Sequence, residues 1–296
     1  MDCYNRIKGE NMDRIDLHTH TTASDGTYSP SEIVDYAAEK GLKALAITDH
    51  DTVAGLEEAL AHGKKAHPEL TVVPGIEYST VKNGGDVHVV GLFIDHKDRE
   101  YQAGLQGFIN SRIERNRKIC DKLTEAGMPI TYEELTEANP GAVITRAHFG
   151  RMLLAKGYVS SIKEVFDNYL GDHCPCYVPR EKITPEMAVE QILMGKGLPV
   201  LAHPMIYKLN DEELDELVAS MKEVGLVGIE AHYSTYTLQD ETRVRELAKK
   251  YDLLISGGSD FHGKNKPDID LGTGMGRLAI PYEVYETLRD KHESMF

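Results

Sequence analysis

Short apolar runs that end in histidine recur along this chain, and they limit what it can fold into. The run that contains Ile15 leads into His18 and His20, and the run at residues 42–47 leads into His50. Side chains two positions apart on a strand lie on the same face, so His18 and His20 would point in one direction. Neutral imidazoles placed in this way suit zinc, iron, nickel or copper, and an added carboxylate widens the choice towards manganese.

The apolar runs alternate with segments that are typical of capped helices. Ser29 is a predicted N-cap, Pro30 fits the first helical position, Glu32 completes a capping box, and Gly41 ends the helix. Similar units recur and predict parallel strands joined by right-handed crossovers. Because polar residues follow the strands all along the chain, a closed or nearly closed α/β barrel of about seven strands fits better than an open sheet.

Two of the predicted strands lie close together in the sequence. Residues 70–73 form a short run that we expect to end at Pro74, just before Glu77. Residues 86–94 form the next run, with His88 inside it. The repeated strand–helix units predict that the strands run parallel.

The alternation stops between residues 97 and 172, where the pattern is helical and shows almost no strand signal. The sequence therefore predicts a helical insertion at 98–172 between two parts of a barrel, 13–97 and 173–296, the second of which ends in a helix. Residues 1–12 are predicted to be a polar leader.

The longest predicted helix, Arg99–Gly127, carries a basic central turn. Its members are Arg112, Arg115, Arg117 and Lys118. A solvated helix face is the simpler interpretation of these charges, because charged side chains are rarely buried. An extension of a nucleotide channel is the alternative.

The overall charge argues against one class of partner. The chain has 296 residues, of which 41% are hydrophobic and 27% charged, and its formal net charge is -15. A groove for duplex nucleic acid needs many Lys and Arg residues, so we expect none here. No apolar run reaches the ~20 residues of a membrane span and no signal peptide is evident, so we expect a cytoplasmic protein. The four cysteines are predicted to be reduced structural thiols: Cys3, Cys120, Cys174 and Cys176.

Nine histidines and carboxylates lie at or near the predicted strand ends. They are His18, His20, Asp25, His50, Glu77, His88, His203, Asp260 and His262. In a barrel, strand ends from distant parts of the sequence converge on one mouth. Nine nitrogen and oxygen ligands exceed the coordination number of one ion, but they suit two or three ions.

Six short motifs occur in an order that resembles a known family. They are His18-Thr19-His20, Ser24-Asp25-Gly26, Thr48-Asp49-His50, Gly75-Ile76-Glu77, Ala202-His203-Pro204 and Ser259-Asp260-Phe261-His262. They resemble the ordered motifs of the PHP (polymerase and histidinol phosphatase) family of metal-dependent phosphoesterases. The resemblance covers residues 13–97 and 173–277 and implies a distorted (β/α)7 barrel. The insertion between Glu77 and His203 is similar to that of the subgroup that hydrolyses AMP, nucleoside 3′,5′-bisphosphates and short oligoribonucleotides.

The resemblance also implies how the nine side chains share their divalent metal ions. One ion would be held by His18, His20, Glu77 and Asp260. A second would be held by Asp25 and His50, while His88, His203 and His262 would complete the second or a third, with Glu77 as a bridge. Part of the family has histidine at position 25, and aspartate here makes manganese, iron or mixed occupancy as plausible as zinc.

The expected chemistry follows from charge. A phosphate monoester dianion repels hydroxide, but two cations ~3.5–4 Å apart bind its oxygens and lower the pKa of a bound water. The expected reaction is attack on phosphorus by hydroxide formed from that water, without a side-chain nucleophile. Arg146 and His148 match an Arg-x-His of the subgroup. The resemblance implies that they bind phosphate, which arginine can grip with two hydrogen bonds.

Three other interpretations stay open. A histidinol-phosphate phosphatase fits the motifs, but the insertion and Asp25 argue against it. An accessory nuclease on longer nucleic acid is opposed by the net charge of -15. A binding module with a decayed site has no support, because all nine ligand types are present. Outside the nine, Asp49 is expected to orient a loop and His232 could touch substrate. We expect five histidines at the surface: His62, His67, His96, His173 and His292.

Overall fold

The computed structural model of the chain describes residues 13–180 and 183–296. The predicted polar leader at 1–12 lies outside these residues. Within them, no helix combines the length and the apolar character that are needed to cross a membrane. The described cysteines Cys120, Cys174 and Cys176 are free thiols.

Eight strands of the described residues form one sheet that nearly closes into a barrel. They are β1 (Arg14–Asp16), β2 (Leu42–Ile47), β3 (Thr71–Lys82), β4 (Gly85–Leu92), β5 (Leu198–Leu201), β6 (Gly228–Tyr233), β7 (Leu254–Gly258) and β8 (Ile280–Pro281). Their order is β7-β6-β5-β4-β3-β2-β1-β8. The predicted α/β barrel is confirmed, and the short β8 is added to it antiparallel to β1.

The barrel closes between its first and seventh strands. The Leu17 N–H donates to the Gly257 carbonyl at 3.2 Å, and the Asp260 N–H donates to the His18 carbonyl at 2.9 Å. These contacts use residues at or just beyond the ends of β1 and β7. Closure therefore brings the loop of His18 and the loop of Asp260 to the same rim.

The middle of the sheet departs from the predicted parallel arrangement. β3 does not end at Pro74 but continues to Lys82, turns into β4 as a hairpin, and leaves β4 antiparallel to both β3 and β5. β3 pairs with β2 up to Pro74 and with β4 from Gly75 onwards. A Cβ at Gly75 would lie 2.8 Å from the Gly91 carbonyl oxygen, so glycine permits this exchange. The prediction is wrong here because the antiparallel pairing of β3 with β4 depends on contacts between the two strands, which the apolar pattern of each run does not specify.

Ten α-helices accompany the sheet in the described residues. They are α1 (Pro30–Glu39), α2 (Leu56–Ala66), α3 (Arg99–Glu125), α4 (Tyr132–Ala138), α5 (Arg146–Ala155), α6 (Ile162–Val165), α7 (Pro185–Met194), α8 (Asp211–Glu223), α9 (Leu238–Lys250) and α10 (Tyr282–Met295). A π-helical turn, Phe166–Leu170, follows α6. The predicted capping box of α1 is confirmed, because the side chains of Ser29 and Glu32 each accept a hydrogen bond from the other residue's N–H.

Alternating side chains on the strands separate two apolar layers. In β2, Ala44 and Ala46 belong to the cluster that fills the barrel, and Leu45 and Ile47 belong to the cluster under the outer helices. The inner cluster continues onto α10 through Leu288. Both faces of the strands are therefore buried, as expected of a barrel covered by helices.

The helices from α3 to α6 have an apolar cluster of their own. Ile119, Leu135, Phe149 and Leu153 are fully buried in it. This cluster is distinct from the two layers around the strands. The helical segment therefore has the packing to hold its shape and to place side chains at fixed positions over the barrel rim.

Candidate functional site

The strand ends bring the nine predicted ligands into one buried cluster. Each of the nine takes part in at least one of four overlapping groups, within which the donor atoms lie within 4.8 Å of one another. The elements that supply them run from the loop after β1 to the loop after β7. The positions that the sequence disperses over more than 240 residues, from His18 to His262, therefore share one mouth.

Glu77 of β3 lies at the centre, with five histidines around its two oxygens. The distances from Oε1 are 2.9 Å to His88 Nδ1, 3.0 Å to His203 Nε2 and 3.3 Å to His18 Nε2. The distances from Oε2 are 3.0 Å to His50 Nδ1 and 3.4 Å to His20 Nε2. Glu77 is fully buried, so the protein itself provides its surroundings. A carboxylate with histidine nitrogens near both of its oxygens has the arrangement that a bridge between two metal ions requires.

A second carboxylate, Asp25, lies on the loop after β1. Its Oδ1 is 3.2 Å from His262 Nε2 and 4.0 Å from His50 Nε2. Its Oδ2 accepts a hydrogen bond of 2.7 Å from the hydroxyl of Thr145. Thr145 is the N-cap of α5, so the helical segment touches the cluster at this carboxylate.

Asp260, in the loop after β7, presents one oxygen to the cluster. Its Oδ2 accepts a hydrogen bond from Tyr233 Oη at 2.7 Å and another from Lys266 Nζ at 2.5 Å. Its Oδ1 lies 3.3 Å from both His20 Nε2 and His262 Nδ1. The backbone φ of Asp260 is 56°, a left-handed conformation that carries a conformational cost and is common at functional sites.

One carboxylate to which the sequence analysis assigned no role supports two of the ligands. Glu230 of β6 accepts a hydrogen bond of 3.0 Å from His18 Nδ1 and one of 2.8 Å from the His203 N–H. A carboxylate on the outer nitrogen of an imidazole fixes its tautomer and directs the other nitrogen inward. The signal in the sequence is a glutamate among the apolar residues of a largely buried strand.

Charges inside the cluster keep its carboxylates ionised. Burial alone would raise the pKa of Glu77, but the surrounding histidines, His88 foremost, hold it well below its usual range. Burial is likewise outweighed at Asp260, where Lys266 is the main cause of a pKa well below the usual range. At Asp16, behind the cluster, burial prevails and raises the pKa to about 6. The central carboxylates therefore carry the negative charge that a cation needs.

Several buried atoms of the cluster have no hydrogen-bond partner among the described residues. They include both ring nitrogens of His20, His18 Nε2, Asp25 Oδ1 and Glu77 Oε2. Buried polar atoms without partners are costly, and native sites keep them where another group satisfies them. Imidazoles mixed with ionised carboxylates suit divalent ions such as manganese, iron and zinc. The residues therefore fit a divalent metal centre.

Residues outside the nine have supporting or separate positions. Asp49 accepts hydrogen bonds from the N–H and hydroxyl of Thr21, both at 2.7 Å, and from Ser24 Oγ at 2.5 Å, which confirms its predicted role in orienting the loop. His232 accepts a hydrogen bond from Arg245 of α9 at 2.7 Å and is not brought into the cluster. The histidines predicted at the surface are partly or fully exposed: His62, His67, His96, His173 and His292.

Arg146, a predicted phosphate-binding residue, begins α5 at the wall of a cavity of about 640 Å³. Its guanidinium is largely engaged within the protein. Nη2 pairs with Asp86, while Nη1 donates to the Leu170 carbonyl at 3.1 Å and to Asp172 Oδ1 at 3.2 Å. The guanidinium carbon of Arg146 also lies 5.5 Å from the centre of the Tyr177 ring. Arg146 therefore shapes the cavity wall and has few donors left for a phosphate.

The cavity adjoins the cluster. His88 and His203 form part of its wall, together with Phe166 of the π-helical turn and with Ile206 and Tyr207 of the loop after β5. A molecule held by a phosphate at the cluster could extend into this space, whose volume is typical of small-molecule sites.

His148, the other predicted phosphate-binding residue, is buried on the first turn of α5. Its Nδ1 accepts a hydrogen bond of 3.0 Å from the Thr145 N–H, as part of a capping box. Burial lowers the pKa of His148 to about 4. The ring is therefore neutral near pH 7, and its proton resides on Nε2 because Nδ1 is an acceptor.

Two arginines of the basic turn on α3 contradict the predicted solvated face. Arg112 and Arg115 are buried, and only Arg117 and Lys118 are exposed. The simple interpretation failed because the helix lies against the barrel rim, which supplies a buried carboxylate. Arg112 donates from Nε to Asp51 Oδ2 at 2.6 Å.

Arg115 is in a different situation. Its Nε is buried and has no hydrogen-bond partner among the described residues. Burial, followed by the charges of Arg112 and Arg146, lowers its pKa well below the usual range, although Asp86 acts in the opposite direction. A buried cation among other cations is costly unless an anion joins it. Arg115 is therefore a functional candidate that the sequence pattern alone did not separate from its neighbours.

Comparisons with known proteins show which family the chain belongs to. Residues 16–266 match the family described as PHP domain. The 5′-3′ exoribonuclease Rnm of Escherichia coli (strain K12) is 37% identical over 257 residues, which cover 87% of this chain and 87% of the relative. A 3′,5′-nucleoside bisphosphate phosphatase of Chromobacterium violaceum is 34% identical over 263 residues, which cover 88% of this chain and 91% of the relative.

Solved structures share the fold. An amidohydrolase from Chromobacterium violaceum with bound sulfate has a TM-score of 0.81 and 32% identity, over 94% of this chain and 96% of that one. A metal-dependent phosphoesterase from Bifidobacterium adolescentis has a TM-score of 0.80 and 26% identity, over the same shares of the two chains. The family that six motifs predicted is confirmed over most of the sequence, and the chain belongs to the PHP domain family.

Proposed function

We propose that this metal-dependent phosphoesterase hydrolyses phosphate esters of nucleotides. The candidate substrates are AMP, nucleoside 3′,5′-bisphosphates and 5′-phosphorylated short oligoribonucleotides. The similar bisphosphatase and exoribonuclease support this choice. The observation that carries the proposal is Glu77, a buried carboxylate surrounded by five histidines beside a cavity of about 640 Å³.

The nine clustered side chains would hold two or three divalent ions, with manganese, iron and zinc as the candidates. We assign a first ion to His18, His20, Glu77 and Asp260. We assign a second to Asp25 and His50, and His88, His203 and His262 complete the second or a third. When bound, such ions would neutralise phosphate charge and lower the pKa of water, so that hydroxide is available to attack phosphorus near neutral pH. In support, every assigned residue lies within one of the convergent groups.

Side chains of the helical segment would bind and orient the phosphate. His148 carries its proton on Nε2 and can donate it in a hydrogen bond to a phosphate oxygen, because Nδ1 is held by the Thr145 N–H. Arg115 supplies a cation whose Nε has no hydrogen-bond partner in the described part of the chain. Arg146 would be a weaker phosphate ligand at the cavity wall, because Asp86 and Asp172 already engage its guanidinium.

We further propose that residues 98–172 act as a substrate cap between the barrel parts at 13–97 and 173–296. Two contacts support this role. Thr145 hydrogen-bonds Asp25, and Arg112 pairs with Asp51 of the loop after β2. A cap joined to the loops of the cluster can exclude water and position the leaving group.

The first test is phosphate release from AMP, 3′,5′-bisphosphoadenosine, a 5′-phosphorylated RNA dinucleotide and histidinol phosphate, each with added manganese and after chelation. We expect metal-dependent turnover of the nucleotides and none after His50→Ala. His148→Ala removes a hydrogen bond to a charged group, worth about 1.5–3 kcal/mol, and should lower kcat/KM about 10- to 100-fold.

A matched control is His292→Ala, which removes a partly exposed histidine of α10 and should leave kcat/KM unchanged. Preference for histidinol phosphate would contradict the nucleotide assignment but keep the metal centre. Tight binding and cleavage of a long single strand would favour the accessory nuclease. No turnover of any compound by the metal-loaded protein would overturn the proposed function.

A further inference from the structure

A second group of metal-binding side chains lies outside the cluster at the barrel mouth. It consists of Asp35 in α1, His62 in α2 and His67 immediately after α2. The donor atoms of these three residues lie within 4.8 Å of one another. None of the three belongs to the groups at the strand ends, and both histidines are among those predicted at the surface.

Both imidazoles point at the same carboxylate oxygen. His62 Nε2 lies 2.6 Å from Asp35 Oδ1, and His67 Nε2 lies 2.8 Å from it. The two histidines are five residues apart, so a regular helix would not place them side by side. They meet because His67 is the C-cap of α2 with a non-helical backbone, φ -136° and ψ 67°. The helix end therefore folds its last imidazole back towards α1.

We propose that Asp35, His62 and His67 bind one divalent transition-metal ion. Zinc, nickel, cobalt and copper suit two imidazoles and a carboxylate, and water can complete their coordination. Bond lengths of about 2.0–2.2 Å place neighbouring donor atoms about 3 Å apart, so the side chains need to move only slightly. The side chains are 25–55% exposed, so an ion can reach them.

A further carboxylate supports the ligand form of His67. Glu69 Oε1 lies 3.7 Å from His67 Nδ1, on the side of the ring opposite Asp35. A negative charge there favours the proton on Nδ1 and leaves the lone pair of Nε2 for the metal.

The site would join two helices that follow loops of the mouth cluster. α1 begins a few residues after the loop of His20 and Asp25, and α2 follows the loop of His50. An ion shared by α1 and α2 would link these two helices at the barrel surface and stabilise the fold by mass action.

The test counts zinc ions bound per chain by equilibrium dialysis and elemental analysis, with the full-length protein at saturating zinc. We expect one fewer ion in Asp35→Asn and in the double variant His62→Gln, His67→Gln than in the wild type. Zinc should also raise the Tm of the wild type further than that of either variant. The mouth cluster is intact in all of these proteins, so the difference reports the second site.

His292→Gln is the matched control, since it removes another partly exposed histidine, one whose Nε2 contacts the Lys196 carbonyl at 2.8 Å. It should bind as many ions as the wild type. Equal stoichiometry in the wild type and Asp35→Asn would overturn the proposal. A loss in His292→Gln of the same size would also overturn it, because it would indicate non-specific binding to surface histidines.

Discussion

Two arginines on neighbouring turns of α3 differ in what the protein offers them. Arg112 pairs with Asp51 and donates to Ser79 Oγ at 2.7 Å, and Arg180 shares the same carboxylate. Arg115 has a buried Nε without a partner among the described residues. Breaking a buried ion pair is costly, whereas removing an unpaired buried charge is not. The two positions should therefore respond in opposite ways to the same substitution.

We expect Arg115→Met to leave the free energy of unfolding unchanged or to raise it by about 1 kcal/mol, because it removes a buried cation whose Nε has no partner among the residues that the structure describes. The same variant should lower kcat/KM on nucleotide phosphates about 10- to 100-fold, because a hydrogen bond to a charged group is lost. Urea denaturation and steady-state kinetics measure the two effects.

Arg112→Met is the control for that substitution. It should lower the free energy of unfolding by about 3 kcal/mol, which is the lower end of the cost of breaking a buried ion pair. The cost is at the lower end because Arg180 still pairs with Asp51 in this variant. If Arg115→Met destabilises the protein as much as Arg112→Met, then Arg115 is a structural residue and its assignment to the substrate is wrong.

Among the elements, the β3–β4 hairpin departs most from a regular barrel, and it carries Glu77 and His88. Its end is tied to the outer helices. Lys82 pairs with Glu186 in the first turn of α7, and Ser220 of α8 donates to the same carboxylate at 2.7 Å. The contacts hold the hairpin against two helices and so contribute to the position of the cluster.

The stability that Glu186 contributes through its contacts with Lys82 and Ser220 should depend on pH. Burial alone would raise the pKa of Glu186, but hydrogen bonds from Lys82 and Ser220 lower it from 4.5 to about 2. A carboxylate with a lowered pKa stabilises the fold above its unfolded pKa, and that contribution is lost as pH falls towards the folded pKa. The difference in free energy of unfolding between the wild type and Glu186→Gln should be constant from about pH 7 to pH 5 and shrink below about pH 4.5. A difference that already declines between pH 7 and pH 5 would contradict this assignment.

At the scale of the whole molecule, metal binding at the nine clustered side chains would couple to the stability of the barrel. The nine clustered side chains come from segments between His18 and His262, so an ion bound there joins both parts of the barrel. Their buried unpaired atoms are a cost to the fold that bound ions would offset. The chain also carries a net charge of -15, and bound cations would lower the magnitude of this charge.

Chelation should therefore lower thermal stability. An ion present at a hundredfold excess over its Kd contributes about 2.7 kcal/mol, which for a chain of 296 residues corresponds to roughly 4 °C in Tm. Calorimetry before chelation, after it and after manganese is added back measures the effect. Glu77→Gln should gain little from manganese, and equal Tm values with and without chelator would show that the ions do not support the fold.

Local patterns in the sequence predicted much of the framework. The capping box of Ser29, the alternation of strands and helices, and the ordered histidine motifs depend on residues within a few positions of one another. The ligands could be named because strand ends in a barrel share one rim. Glu230 was harder to assign, because its partners His18 and His203 are distant in the chain and approach it only in the folded protein.

By itself, the sequence determined the barrel class, the family and the set of side chains at the mouth, because each has a local signature. Only the tertiary structure decided that β3 exchanges partners at Pro74 and that His62 and His67 meet at Asp35. It also decided that, within residues 13–180 and 183–296, Arg112 forms an ion pair and the Nε of Arg115 has no partner. These outcomes depend on which distant segments pack together and on how much water they exclude. The charge of a side chain can be read from the sequence, but the cost of burying it depends on neighbours that folding alone supplies.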